Sequence, residues 1–160
     1  MKYIKITYPD INNGDGMRAT IWFSGCSHHC EGCHNKHTWD YNQGKDITPY
    51  LYNEISEIFN SETYLKGITL SGGDPLSQSQ NCLNELYNFI SWFKTKFPDK
   101  DIWVFAGDTY EECMLVSEKK DIIKLCDYMV DGVFKIEERD LSLKYRGSKN
   151  QRIINIKEYK

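Results

Sequence analysis

The sequence carries no excess of positive charge. Its 20 Lys and Arg stand against 23 Asp and Glu, a formal net charge of −3, so it lacks the general basic field that draws nucleic acid or anionic membrane as a main partner. Long apolar runs are also missing, and no stretch approaches the roughly 18 residues of a membrane span. The N-terminal MKYIKITYPDINNGDG has no apolar segment followed by a small-residue cleavage site, which argues against a secretory leader. Together these absences predict a cytoplasmic protein that engages neither nucleic acid nor membrane. No internal repeat, low-complexity tract or linker interrupts the 160 residues. The expectation is one domain, 1–160, long enough to bury a core without staples.

What the chain does have is thiols. Six cysteines in a reducing compartment read as ligands, reactive groups or small interior residues, not as a disulfide framework. Cys26, Cys30 and Cys33 are concentrated with three histidines in CSHHCEGCH, Cys26 to His34. CEGCH matches c-type haem attachment, but that reading leaves Cys26 unexplained and normally goes with export. A plain Cys30/Cys33 dithiol likewise leaves the third thiol without a role. A Cys3His zinc site in a non-enzymatic interaction module stays open, since His28, His29, His34 and His37 are all near enough in sequence to supply a fourth ligand. The fourth reading is an iron-sulfur cluster. Such clusters normally take four cysteines, so three in a compact run leave one iron open for chemistry. Cys82, Cys113 and Cys126 share no close spacing and read as interior or partly buried residues.

Short apolar runs recur along the chain, most of them ending at glycine: ATIWFSG (19–25), GITLSGG (67–73), DIWVFAG (101–107) and DYMVDG (127–132), with RIINI (152–156) last. Their near-continuous apolar character predicts parallel strands covered by helices on at least one side. Helix signals lie between them. Thr48-Pro49 starts one that presents Leu51, Ile55, Ile58 and Phe59. Ser77 with Gln80 has capping-box spacing before a stripe of Leu83, Leu86, Tyr87, Ile90 and Phe97, and Thr109 with Glu112 repeats that spacing before a helix to about Ser117. The alternation predicts an α/β fold, with 135–150 as its longest loop.

In parallel α/β architectures ligands gather at the carboxyl ends of the strands. The cysteine loop, SGGDP (Ser71 to Pro75), FAGDT and DGVF each follow a strand and are predicted to line one rim. The glycines of SGGDP permit close backbone approach to a ligand, and Asp74 brings a carboxylate; a tight strand-to-helix turn explains the same residues. NGDGMR (Asn13 to Arg18) has G-x-G without the strand before it and the helix after it that a dinucleotide fingerprint requires.

CSHHCEGC has the C-x3-C-x2-C spacing of the radical S-adenosylmethionine superfamily, and SGGDP falls where that superfamily has its glycine-glycine-acid segment. More narrowly, NGDGMR, FSGCSHHCEGCHNKHTW, LSGGDPL, DIWVFAG, VDGVF and RGSKNQR in this order resemble the activating proteins of anaerobic ribonucleoside-triphosphate reductases, from about Asn13 to Arg152. Gly32 departs from the wider superfamily, where an aromatic residue usually precedes the third cysteine.

The resemblance implies a partial (β/α) barrel of the radical S-adenosylmethionine type, mostly parallel, with a 4Fe-4S cluster on Cys26, Cys30 and Cys33. S-adenosylmethionine would chelate the open iron, with Gly72, Gly73 and Asp74 near its methionine part and the backbone of Gly32, Cys33 and His34 near its adenine. One electron from a low-potential donor, which the sequence does not identify, would cleave the sulfonium to methionine and a 5'-deoxyadenosyl radical. That radical would take a hydrogen atom from a glycine α-carbon of the large reductase subunit, leaving a glycyl radical. No residue is implied as a general acid or base. The activase of another glycyl radical enzyme, such as pyruvate formate-lyase, is the neighbouring alternative; the short chain and the RGSKNQR ending count against it. Arg146, Lys149 and Arg152 of that ending form a basic patch suited to a partner or an anionic part of the cofactor, or an exposed turn.

Overall fold

The structure, a computed structural model, describes residues 1–159. In chain order its elements are β1 (Lys2–Asp10), β2 (Arg18–Phe23), β3 (Lys45–Asp46), α1 (Pro49–Ser61), β4 (Gly67–Gly72), α2 (Gln80–Lys96), β5 (Asp101–Phe105), α3 (Tyr110–Met114), α4 (Ser117–Leu125), β6 (Tyr128–Asp131) and β7 (Arg152–Asn155). The strands form one open mixed sheet in the order β3-β1-β2-β4-β5-β6-β7. Among the described residues no helix is long and apolar enough to cross a membrane.

The α/β expectation holds, and the strand directions correct it at the edges. The central strands β2, β4, β5 and β6 are parallel, whereas β1 and β3 on one side and β7 on the other are antiparallel. Parallel neighbours need a crossover long enough to return to the starting end of the sheet. The β6–β7 connection contains only a short 3-10 turn at Ile136–Glu138, so β7 runs back beside β6. The predicted parallel RIINI is therefore an antiparallel edge, and β1 was not foreseen.

Successive strand residues point to opposite faces. One face carries Ala19, Ile21, Phe23, Ile68, Leu70, Ile102, Val104, Met129 and Ile154, all in one hydrophobic cluster with the helices. Helix α1 contributes Leu51, Ile55, Ile58 and Phe59, and α2 contributes Leu83, Leu86, Phe89, Ile90 and Phe93. Each such side chain, fully buried, stabilises the fold by about 1.5–3 kcal/mol. The opposite face is polar and aromatic, with Arg18, Thr20, Thr69 and Trp103 all buried. Trp and Thr on that face made the runs look continuously apolar.

Helix starts follow local chemistry. The Thr48 side chain accepts from Tyr50 N–H with Pro49 opening α1, and Thr109 with Glu112 completes a capping box at α3. The cap of α2 is Ser79, whose hydroxyl accepts from Cys82 N–H, and not Ser77. The Ser77 N–H instead donates to Asp74 Oδ1 at 3.1 Å, which places Ser77 in the preceding turn. Tyr87 lies on the exposed side of α2. The predicted helix to Ser117 is two helices, α3 ending at Met114 and α4 beginning at Ser117.

Candidate iron-sulfur site

The parallel strands end on one side of the sheet, and the segments that leave them surround one cavity of about 190 Å³. Cys26, Cys30, Cys33 and His34 line it from the loop after β2, and Gly72, Gly73 and Asp74 from the end of β4. Phe105 to Gly107 lie at the end of β5 and Gly132 to Phe134 follow β6, and Arg146, Gly147 and Gln151 close the wall before β7. Gly32 stands apart from this lining. Its backbone is left-handed at φ +74°, and a Cβ there would meet Ile136 Cδ1 at 2.5 Å.

The cysteine loop is held by backbone bonds from two sides. Gly25 N–H donates to Thr38 O at 2.7 Å and Cys26 N–H to Trp39 O at 3.2 Å, while Cys33 N–H donates to Cys30 O at 3.2 Å. The SGGDP turn is stitched to the same loop: Gly73 N–H donates to Phe23 O and Asp74 N–H to Gly25 O, both at 2.8 Å. Contact is so close that a Cβ on Gly73 would fall 2.4 Å from Gly25 O. Gln78 adds side-chain stitching, its amide donating to Ser24 O, Gly25 O and Asp74 O.

All three thiols are free. Cys26 is buried and the other two half-buried, and burial first of all pushes the Cys26 and Cys30 thiols above the ordinary range. Because metal is bound by the thiolate form, metal binding would release protons. Among the described residues no three His, Cys, Asp or Glu side chains are already gathered at metal-holding distance. The chemistry of the donor set nevertheless fits a cluster: soft sulfur ligands on one loop, facing a cavity that continues past them.

The histidines divide by tertiary contact. His29 stacks on Trp39 at 4.6 Å, His34 meets Phe134 edge-on at 6.5 Å, and His37 lies exposed in the 3-10 turn Lys36–Thr38. His28 reaches inward. Its Nε2 is 3.1 Å from Asp74 Oδ2 and 3.6 Å from Asp108 Oδ1, with no well-aligned hydrogen bond to either. The Asp74 carboxylate, ahead of opposing burial, raises the His28 pKa above its usual value. Sequence spacing gave no sign of this contact.

RGSKNQR is also largely occupied with its own neighbourhood. The Gln151 side chain donates to Gly132 O and accepts from Gly147 N–H, and Asn150 donates to Val133 O. Arg152 pairs with Asp131 and Glu111. Of the basic patch, Arg146 lines the cavity while donating to Gln151 O at 2.6 Å. Cys113 and Cys126 are interior, and burial pushes both thiols up to about 12; Cys82 is half-buried on α2.

A family profile described as "4Fe-4S single cluster domain" matches residues 12–154, so the cavity with its three thiols lies in a protein of the single-cluster iron-sulfur class. The anaerobic ribonucleoside-triphosphate reductase-activating protein of Enterobacteria phage T4 is 37% identical over 155 residues, covering 96% of this chain and 93% of that one. Proteins of the same name from Escherichia coli K12 and Pasteurella multocida Pm70 are 41% identical over 147 residues (90% and 92% covered) and 36% over 160 (99% and 100%). The chain belongs to the family of anaerobic ribonucleoside-triphosphate reductase-activating proteins.

Proposed function

We propose that this protein is a radical S-adenosylmethionine activase that installs a glycyl radical on the large subunit of an anaerobic ribonucleoside-triphosphate reductase, in the cytoplasm. The observation that carries the reading is that the C-x3-C-x2-C thiols share one cavity with the SGGDP turn and with the ends of β5 and β6. Cys26, Cys30 and Cys33 would hold a 4Fe-4S cluster. Gly72, Gly73 and Asp74 would lie near the methionine part of S-adenosylmethionine, and Cys33 and His34 near its adenine, with Gly32 shaping that turn from behind. When bound, this cofactor pair supplies one-electron cleavage of the sulfonium and abstraction of a hydrogen atom from glycine.

The chain's own residues bind, orient and shield. Phe105, Ala106, Val133 and Phe134 present an apolar wall to the cavity, which limits water and stray hydrogen donors there. The backbone bonds from the SGGDP turn to Phe23 and Gly25 hold the cluster loop against the cofactor turn. Electrons would come from a low-potential donor docking outside the cavity.

The test is anaerobic reconstitution followed by addition of reductant, S-adenosylmethionine and a candidate reductase. A brown protein with about four iron and four sulfide, 5'-deoxyadenosine formation and a glycyl radical signal in electron paramagnetic resonance support the reading. A colourless protein with one zinc overturns it, and a radical formed only on a different glycyl radical enzyme overturns the choice of partner.

A further inference from the structure

The side chain of Asp74 is fully engaged inside the protein. It is 2% exposed. Its Oδ1 accepts from Leu76 N–H at 2.8 Å and Ser77 N–H at 3.1 Å. Its Oδ2 accepts from Gly107 N–H at 2.9 Å and faces His28 Nε2 at 3.1 Å. Its hydrogen bonds thereby tie together the turn after β4 and the end of β5, and His28 brings the cysteine loop against the same carboxylate by close contact. A carboxylate so committed has little capacity left for a ligand's ammonium group.

His28 packs against Asp74 and is itself largely enclosed, its side chain 18% exposed against 3% for that of Asp74. Its ring fills the space beside Gly107, where a Cβ would fall 2.3 Å from His28 Cδ2 and 2.5 Å from Nε2. Behind it, Asp108 pairs with Lys119 of α4 at 2.5 Å, so the imidazole is flanked by two carboxylates, one of them already anchored to a helix. Ser27 beside it reaches the same turn, its hydroxyl 2.6 Å from that of Ser77. The tip of the cysteine loop, between its first two thiols, is therefore fastened across the cavity mouth to β4 and β5.

We propose that His28 is a positioning residue, a latch whose imidazole on Gly107 and against Asp74 holds the cysteine loop closed and sets Cys26 and Cys30 at the cavity. Asp74 then acts through this latch and through its turn, rather than as a direct ligand of a bound amino acid. The latch would order the thiols before any metal arrives, and as an outer-shell partner it would slow metal loss afterwards. The second consequence rests on the cluster reading; the first does not.

The experiment therefore uses both forms of the protein. In the metal-free reduced protein, the alkylation rate of each cysteine is read by mass spectrometry for wild type, His28→Ala and His28→Gln. His28→Ala is expected to raise Cys26 alkylation about tenfold or more, because the loop opens locally, while Cys113 and Cys126 stay protected and report an intact core. The Gln amide can donate to Asp74 from nearly the same position, so His28→Gln should return the rate to within about threefold of wild type. Asp74→Asn combined with His28→Ala should add little to the single His28 change. In the reconstituted protein, His28→Ala should release iron to a chelator about tenfold faster, with His28→Gln again restored. Unchanged Cys26 alkylation in His28→Ala, or a Gln variant as open as the Ala variant, overturns the latch. Wild-type protein that takes up no cluster overturns the cofactor reading alone and leaves the alkylation result to stand.

Discussion

The guanidinium of Arg18 lies 2.6 Å from the carboxylate of Asp101, fully buried at the end of the sheet opposite the cysteine loop. Its Nε donates to Thr69 Oγ1 and its Nη2 to Ile68 O, both at 2.7 Å, and Nη1 donates to Asp15 O at 3.0 Å. The group also sits over the Trp103 ring at 5.5 Å. One side chain thus joins the starts of β2, β4 and β5 and receives the NGDGMR loop. That motif is a structural device in the β1–β2 connection, not a nucleotide fingerprint.

Arg18→Met is expected to destabilise the protein by about 3–5 kcal/mol, since it strands Asp101 and several acceptors. Arg18→Lys should recover only part of this, because one ammonium cannot reach four partners in a planar fork. Urea denaturation of the metal-free protein measures both, and an Arg18→Lys midpoint equal to wild type would contradict the account.

Replacement of Cys26, Cys30 or Cys33 by Ala is expected to abolish cluster-dependent cleavage of S-adenosylmethionine. Cys82→Ala, on a helix away from the cavity, should retain it. Assays of 5'-deoxyadenosine on anaerobically reconstituted variants decide the matter, and full activity in Cys30→Ala sinks the assignment.

Gly73→Ala places a methyl group 2.4 Å from the Gly25 carbonyl oxygen, a backbone atom that can yield only if the cysteine loop shifts. Iron content after reconstitution should fall about tenfold, with thermal stability lowered by about 1–3 kcal/mol. Normal iron content would show that the loop has slack that the packing does not reveal.

Arg146→Ala is expected to weaken glycyl radical formation in the reductase more than uncoupled cleavage of the cofactor. Arg146 sits on the cavity wall next to the outer groove formed by Arg139 to Gly147, where a polypeptide would enter. Equal losses in the two assays would argue against a partner-facing role.

Asp127 gives a pH signature. Burial opposes its ionisation, but bonds from Lys94, Lys157 and Ile102 N–H outweigh burial and hold its pKa below the ordinary 3.8. A depressed folded-state value means that the ionised group stabilises the protein above the unfolded-state pKa. That contribution is lost as pH falls through the lower folded value. Asp127→Asn should therefore cost about 1–2 kcal/mol near neutral pH, and the gap from wild type should close as pH drops below about 4. Chemical denaturation at a series of pH values checks this, and a gap that stays constant or widens in acid would refute it.

How much of this was legible beforehand depended on the range of the interaction. Thr48-Pro49 and Thr109-Glu112 announced helix starts because capping is a contact between residues two or three apart. Ser77 misled because its hydroxyl and N–H are taken by Ser27 and Asp74, one of them far away in sequence. The continuous runs concealed a second, polar sheet face because Thr and Trp suit a strand interior whichever way they point.

The sequence by itself determined the α/β alternation, the family and the concentration of three thiols in one loop. The alternation and the thiol cluster reside in local periodicity and spacing, and the family in the resemblance of its ordered motifs, all of which survive without coordinates. Only the tertiary structure decided that the sheet edges run antiparallel, that Arg18 closes one end of the sheet and that His28 meets Asp74 at the other. Each of these joins residues from distant segments, and an imidazole finds its partner through the path of the chain, about which its sequence neighbours carry no information.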